Sequence, residues 1–128
     1  MRVYYEDTDS AGIVYHASYL RFMERARTEW LRSLGFELPV LRIEHHVLFT
    51  VSRLHIDYLR PAHFNDMLDV SLELARFGGA SFLLDQKVCR APRELLCRAG
   101  VRIACVDATS LRPRPIPQAV CTELKRDC

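Results

Sequence analysis

One stretch of the chain carries a long helical period, and almost everything after it alternates, which leaves few architectures open. Tyr19, Leu20, Met23, Ala26, Trp30, Leu31 and Leu34 recur at spacings of three and four, laying one apolar stripe along a helix. Arg21, Arg25, Glu29 and Arg32 fall mostly on the opposite face, and Gly35 is the residue type that helices favour just past their last turn. After a linker around Pro39 the period changes to that of strands. Val47, Phe49 and Val51 alternate, and the apolar phase then slips by one to Leu54, Ile56 and Tyr58, the mark of a β-bulge. Leu68, Val70, Leu72 and Leu74 alternate up to a turn at Gly78-Gly79. Phe82, Leu84 and Val88 follow, with Gln86 interrupting, and then Leu95, Cys97, Ala99, Val101, Ile103 and Cys105. A short β-prone start at Val3 to Tyr5 and a short helical segment after the prolines of "RPRPIP" complete the order.

This order predicts an α+β fold, one long helix against a largely antiparallel sheet, with residues 1–128 forming a single domain. One sheet covers one helix but leaves its own outer face and edges bare. With no second helix layer in the pattern, self-association into a dimer or larger assembly is expected.

The net charge of +2 is spread along the chain, which argues against a nucleic-acid footprint. Lys87 and Lys125 are the only lysines among 18 basic residues. Arginine suits bidentate phosphate binding, although a GC-rich genome accounts for the excess more simply. No apolar run approaches the ~18 residues of a membrane span. The first residues are charged and lack the apolar core of a leader, so a cytoplasmic location is expected. Cys89, Cys97, Cys105, Cys121 and Cys128 form no CxxC pair and read as reduced thiols, with no metal site signalled. His45 and His46, read as strand neighbours, point to opposite faces and cannot share a metal. Ser81 lacks a nucleophile elbow, and no phosphate-cradling glycine loop is present.

The segment "YEDTDSAGIVYHASYLRFMERAR", Tyr5 to Arg27, is unlike the rest. Asp7 and Asp9 precede a turn of small residues, and the helix then begins without an obvious cap. Tyr15, His16 and Ala17 are poor caps. Ser18 suits a helix that begins slightly later, but Arg21 stands where a capping box needs Glu or Gln. An uncapped helix start offers free N–H groups and about half a positive charge, and so can receive a ligand oxygen. Asp9, taken alone, reads as an Asx-turn carboxylate that shapes the loop.

The pattern Tyr-x-x-Asp-Thr-Asp-x-x-Gly-x-Val-Tyr-His-x-x-Tyr-Leu, followed by Glu-x-Ala-Arg, resembles the hotdog-fold thioesterases related to 4-hydroxybenzoyl-CoA thioesterase. Within them it is most similar to the YbgC-type acyl-CoA thioesterases of the Tol-Pal gene cluster. Tyr4 or Tyr5, Asp7, Thr8, Asp9, Gly12, Val14, Tyr15, His16, Tyr19, Leu20, Glu24, Ala26 and Arg27 carry the match. "DYLRPAHFNDMLDV" and "CVDATSLRPRPIP" extend it over essentially the whole chain. The resemblance implies a hotdog fold, an antiparallel sheet wrapped around one long central helix. It also implies dimers joined edge to edge, often paired into tetramers, with active sites between subunits.

It further implies hydrolysis of an acyl-CoA to a free acid and coenzyme A, with coenzyme A part of the substrate and no separate cofactor. Asp9 would be the catalytic carboxylate, as nucleophile or as general base on water. A backbone N–H near His16 would polarise the thioester carbonyl. Asp7 would hold the loop. His16 is open between protonating the leaving group, orienting Asp9, contacting substrate, and simply packing as a hydrogen-bonded ring. Tyr15 and Gly12 would lie against the substrate, and Glu24 and Arg27 would form a structural ion pair. Arg76, in "ARFGGAS", would meet the coenzyme A phosphates, but Gly78 stands where relatives often carry a basic residue. The alternative is a hotdog binding protein for acyl carrier protein or phospholipid-synthesis enzymes, with hydrolysis incidental. A hotdog hydratase ranks last, because no second acid is placed to face His16.

Overall fold

The structure, a computed structural model, describes residues 1–91 and 93–127, so Cys128 lies outside the described residues. Helix α1 spans Ser18–Ser33, α2 Leu38–His45 and α3 Gln118–Asp127; the strands are β1 Val47–Tyr58, β2 Leu68–Phe77, β3 Ser81–Arg90 and β4 Glu94–Asp107. All neighbouring strands are antiparallel, in the order β1-β4-β3-β2. The α+β arrangement is the one expected.

Helix α1 buries Tyr19, Phe22, Met23 and Leu31. Leu20, read as part of the stripe, faces outward, because the buried face is centred on Met23 and draws in Phe22 instead. Burying Phe22 and Met23 stabilises the fold by about 1.5–3 kcal/mol each. The helix stops where Gly35 turns left-handed at φ +95°. The Gly35 N–H bonds the Arg32 carbonyl at 3.0 Å and the Phe36 N–H bonds the Leu31 carbonyl at 2.9 Å, a Schellman closure. Segment 38–45, read as a linker because of Pro39, is helix α2. Proline there lies in the first turn, where its missing N–H would have no helical acceptor anyway. His45 ends this helix and His46 follows in the left-handed region, so the pair is not in a strand.

The phase slip in β1 is a bulge between Val51 and Arg53, as expected. Two further bulges lie between Leu74 and Arg76 and opposite the Val88–Cys89 step. The latter puts Leu96, not Leu95, fully in the core. Gln86 interrupts the apolar face of β3 because it serves α1. Its Nε2 donates to the Met23 carbonyl at 3.0 Å, and its Oε1 accepts from Arg27 at 2.9 Å. Arg27 therefore bonds Gln86 rather than forming the expected ion pair with Glu24. Burial lowers the affinity of its guanidinium for its proton, and the Glu24 charge opposes that.

The outer face of the sheet needs no apolar cover. Around Gly100 it carries His55, Asp57, Glu73, Asp85, Lys87 and Arg98. On the β1 edge, by contrast, apolar side chains are exposed at Val51 and Leu54. At the other edge, Met1–Val3 runs beside Asp66–Leu68 through a Val3 N–H bond to the Asp66 carbonyl at 2.9 Å. The expected β-start thus narrows to a bridge at Arg2, and Tyr5 enters a 3-10 turn, Tyr5–Asp7. Helices α2 and α3 also contribute to the core, α2 through Leu41 and α3 through Val120 and Leu124. Burial pushes the thiols of Cys97 and Cys105 up to about 12 and about 11.

Candidate active site

Residues 7–15 form a tight hairpin ahead of α1. Thr8 bridges Val14, and the Asp9 N–H bonds the Ile13 carbonyl at 2.9 Å. The Gly12 N–H returns to the Asp9 carbonyl at 3.0 Å, with Gly12 at φ +80°, a backbone that glycine adopts at least cost. Asp9 Oδ1 accepts the Ala11 N–H at 2.8 Å, so this carboxylate does build an Asx-turn. Its other oxygen has no partner among the described residues, and the residue is exposed. Asp7 is only 4% exposed. Its Oδ2 accepts the Tyr4 N–H at 3.0 Å, Arg21 approaches Oδ1 at 3.5 Å, and its carbonyl accepts the Tyr15 N–H at 2.9 Å. Asp7 holds the loop.

The hairpin leads into an uncapped helix. Ala17 occupies the cap position and its side chain accepts nothing. Ser18 does not cap; its Oγ accepts from Arg21 at 3.0 Å. The Ser18 N–H turns back to the Tyr15 carbonyl at 2.8 Å. The N–H groups of His16 and Ala17 have no acceptor among the described residues. The His16 ring is exposed, stacks on Tyr15 with centroids 4.4 Å apart, and meets the edge of Tyr58 at 6.2 Å. Neither of its ring nitrogens has a hydrogen-bond partner among the described residues.

A cleft of about 240 Å³ opens here, walled by Ile13, Val14, His16, Tyr19 and Tyr58. The Tyr19 hydroxyl accepts the Ala62 N–H at 3.1 Å, and burial raises its pKa, so the phenol stays protonated. Asp9 stands directly across the hairpin from Ile13, one of the walls. Gly12, at the tip, has both backbone groups engaged, its carbonyl accepting from Phe64 at 3.4 Å. A Cβ added there would meet nothing within 4 Å, so the tip is open. Further along α1, a largely apolar cavity of about 350 Å³ lies between the helix and the sheet, lined by Arg27, Trp30, Phe49, Phe82 and Ile103 among others.

Arg76 is not brought to this hairpin. It lies in a shallow cavity of about 240 Å³ with Arg53, Arg102 and Ser81. Arg53 pairs with Arg102, Arg102 with Leu83 and Leu83 with Arg76, so three guanidinium groups share one row across the outer face. None has a carboxylate within ion-pair distance among the described residues, and Arg102 donates only to Ser81 Oγ, at 3.4 Å. Tyr58 is five positions beyond Arg53 on β1, roughly 17 Å at strand rise. Sequence reasoning missed Arg53 and Arg102 because only the strand register reveals that they neighbour Arg76. Among the described residues no group of His, Cys, Asp and Glu is arranged to hold a metal, and no helix is long and apolar enough to cross a membrane.

Comparison with known proteins adds to this geometry. Residues 3–124 match the family model of the thioesterase-like superfamily. The acyl-CoA thioester hydrolase YbgC of Escherichia coli is 42% identical over 126 residues, covering 98% of this chain and 93% of that protein. The acyl-CoA thioesterase YbgC of Haemophilus influenzae is 45% identical over 120 residues, covering 94% of this chain and 88% of that protein. Among solved structures, a probable thioesterase from Bartonella henselae superposes with a TM-score of 0.86 at 37% identity, covering 91% of this chain and 95% of that one.

Proposed function

The chain belongs to the thioesterase-like superfamily as a thioester hydrolase of the hotdog fold, and from that premise we propose that it hydrolyses acyl-CoA thioesters with Asp9 as the reactive carboxylate. The observation that carries this reading is the pairing of a carboxylate oxygen left free at Asp9 with an uncapped helix start seven residues later, at His16 and Ala17. In acyl transfer the carbonyl oxygen gains negative charge. Free N–H groups at a helix start are already oriented to stabilise that charge without reorganisation.

The thioester carbonyl oxygen accepts from the His16 and Ala17 N–H groups, which draws electron density from the carbonyl carbon. Asp9 then either attacks that carbon, expelling the coenzyme A thiolate and leaving a mixed anhydride for water to open, or takes a proton from water as the water attacks. A thiol of pKa about 8.5 departs readily as thiolate. No strong acid is required. The unengaged imidazole of His16 serves the leaving sulfur or the substrate, and Tyr15, stacked on it, packs against the acyl group. The open tip at Gly12 admits the substrate.

Arg76 contributes to phosphate binding together with Arg53 and Arg102, which supply from neighbouring strands the charge missing at Gly78. Three like charges with no carboxylate beside them among the described residues favour an anion that joins them, and phosphate oxygens match the guanidinium fork. The exposed apolar edge of β1 supports joining to a second copy along that strand, in a homodimer or a tetramer built from dimers.

Thiol release from a panel of acyl-CoAs, short, long and benzoyl-type, with wild type and Asp9→Asn in parallel, tests the proposal. A no-substrate control removes the contribution of the protein's own cysteines. Selective turnover lost in Asp9→Asn supports it; turnover indifferent to Asp9 refutes it.

A further inference from the structure

The Asp9 hairpin is not part of the four-stranded sheet. Outside its own turn and the preceding Tyr4–Asp7 segment, its backbone rests on residues 62–64. The Val14 N–H bonds the Ala62 carbonyl at 2.8 Å, Ile13 bridges His63, and the Phe64 N–H reaches the Gly12 carbonyl at 3.4 Å. The position of Asp9 is therefore set by whatever holds this supporting loop.

One side chain holds it at both ends. Arg90, the last residue of β3, reaches back with Nη1 to Asp66 Oδ2 at 2.7 Å and to the Pro61 carbonyl at 3.4 Å. Its Nε and Nη2 grip Glu94 Oε1 at 2.9 and 2.7 Å, which fixes the guanidinium plane on the β3–β4 hairpin. Glu94 Oε2 takes Arg60 at 3.0 Å, the residue before the loop. Asp66 Oδ2 also accepts the His63 N–H at 2.8 Å, folding the loop on itself. The Arg90 side chain is only 25% exposed and that of Asp66 22%, so this contact is partly shielded from solvent. The planar fork sets two donors side by side on Glu94 while a third group reaches Asp66; a lysine ammonium in its place keeps charge but not this geometry.

We propose that Arg90 is a positioning residue for the reaction: through Asp66 and the Pro61–Asp66 loop it holds the Asp9 hairpin at the distance from the helix start that turnover requires. The inference rests on the reading of Asp9 as the reactive group. Misplacement by about 1 Å costs on the order of 100-fold in rate at a well-aligned site, so partial loosening of a hairpin one loop away is felt in kcat.

The test compares wild type, Arg90→Met, Arg90→Lys and the milder Glu94→Gln in the full chain. It reads amide exchange at Val14 and Gly12 together with kcat and KM on the best acyl-CoA of the panel. In Arg90→Met, Val14 and Gly12 exchange about 10-fold faster and kcat falls about 10-fold, while KM stays within about twofold. Arg90→Lys recovers part of both, and Glu94→Gln lies between. Faster exchange with unchanged kcat overturns the proposal, as does a lowered melting temperature with exchange at Val14 and kcat both unchanged. If wild type hydrolyses no acyl-CoA, the functional reading fails by itself, and unchanged exchange at Val14 would separately overturn the clamp.

Discussion

The Tyr58 hydroxyl donates to the His16 carbonyl across 2.9 Å, so the last residue of β1 fixes the turn from which α1 starts. The hydroxyl is the only polar group by which the sheet grips that turn among the described residues. Tyr58→Phe keeps the ring against Tyr19 and His16 and removes only the bond. A loss of about 0.5–1.5 kcal/mol in unfolding free energy is expected, with a several-fold fall in kcat/KM because the helix start gains freedom. Denaturant titration and thioester kinetics check the two effects separately.

Asp9→Asn leaves the Asx-turn intact, since an amide oxygen accepts the Ala11 N–H as a carboxylate does. Its melting temperature therefore stays near that of wild type while turnover falls by about 100-fold or more. A mutant that melts early and retains its rate would invert this assignment.

Arg53→Gln and Arg102→Gln raise KM for acyl-CoA several-fold and leave acyl-pantetheine, which lacks the nucleotide phosphates, unaffected. The KM of wild type for acyl-CoA also rises with salt, as exposed charge pairs are screened over about 10 Å at 0.1 M. Equal effects on both substrates would remove these arginines from phosphate binding.

Gln86→Leu leaves the half-buried Arg27 guanidinium without the one hydrogen-bond partner it has among the described residues. Destabilisation of about 2–3 kcal/mol is expected, and Arg27→Met combined with Gln86→Leu recovers a substantial part of it, because both polar partners then leave together. Thermal melts of the two single mutants and the double mutant measure this coupling.

Acid weakens the clamp and the β4 terminus. For Asp66, burial opposes ionisation, but the His63 N–H and Arg90 outweigh it and hold its pKa below the usual range. Arg90, then Arg60, lower that of Glu94, and the Ser110 and Thr109 N–H groups lower that of Asp107. Groups with depressed folded-state pKa values contribute stability above their unfolded pKa and lose it as pH falls through the folded value. Stability should thus hold at neutral pH and decline below about pH 4, more gently in Arg90→Met. Melting temperature against pH decides it.

Local rules made several features legible in advance. The phase slip at Val51 marked a bulge and Gly35 marked the end of the helix, whereas Gln86 was legible only as an interruption, its partners Met23 and Arg27 lying on a helix 63 and 59 residues away. Helix α2 was hidden because Pro39 reads as a breaker unless its position in the first turn is known. Leu96 was hidden because a second bulge shifts burial by one residue. Arg53 and Arg102 required the strand register, which no single strand reveals. The Asp9–His16 region was legible through its long motif, whereas Arg90, distant from Asp9 in sequence, gave no local signal.

On the proposed mechanism, alanine at the cap of α1 keeps any side-chain oxygen away from the His16 and Ala17 N–H groups. Aspartate or serine at Ala17 would tie down the following amides and stabilise the helix by about 1 kcal/mol. Either would also set a competing oxygen, and aspartate a negative charge, where the proposed oxyanion forms. The chain thus forgoes an easily gained stability at its helix mouth, and on the proposed mechanism a screen for heat resistance alone would select the substitution that silences it.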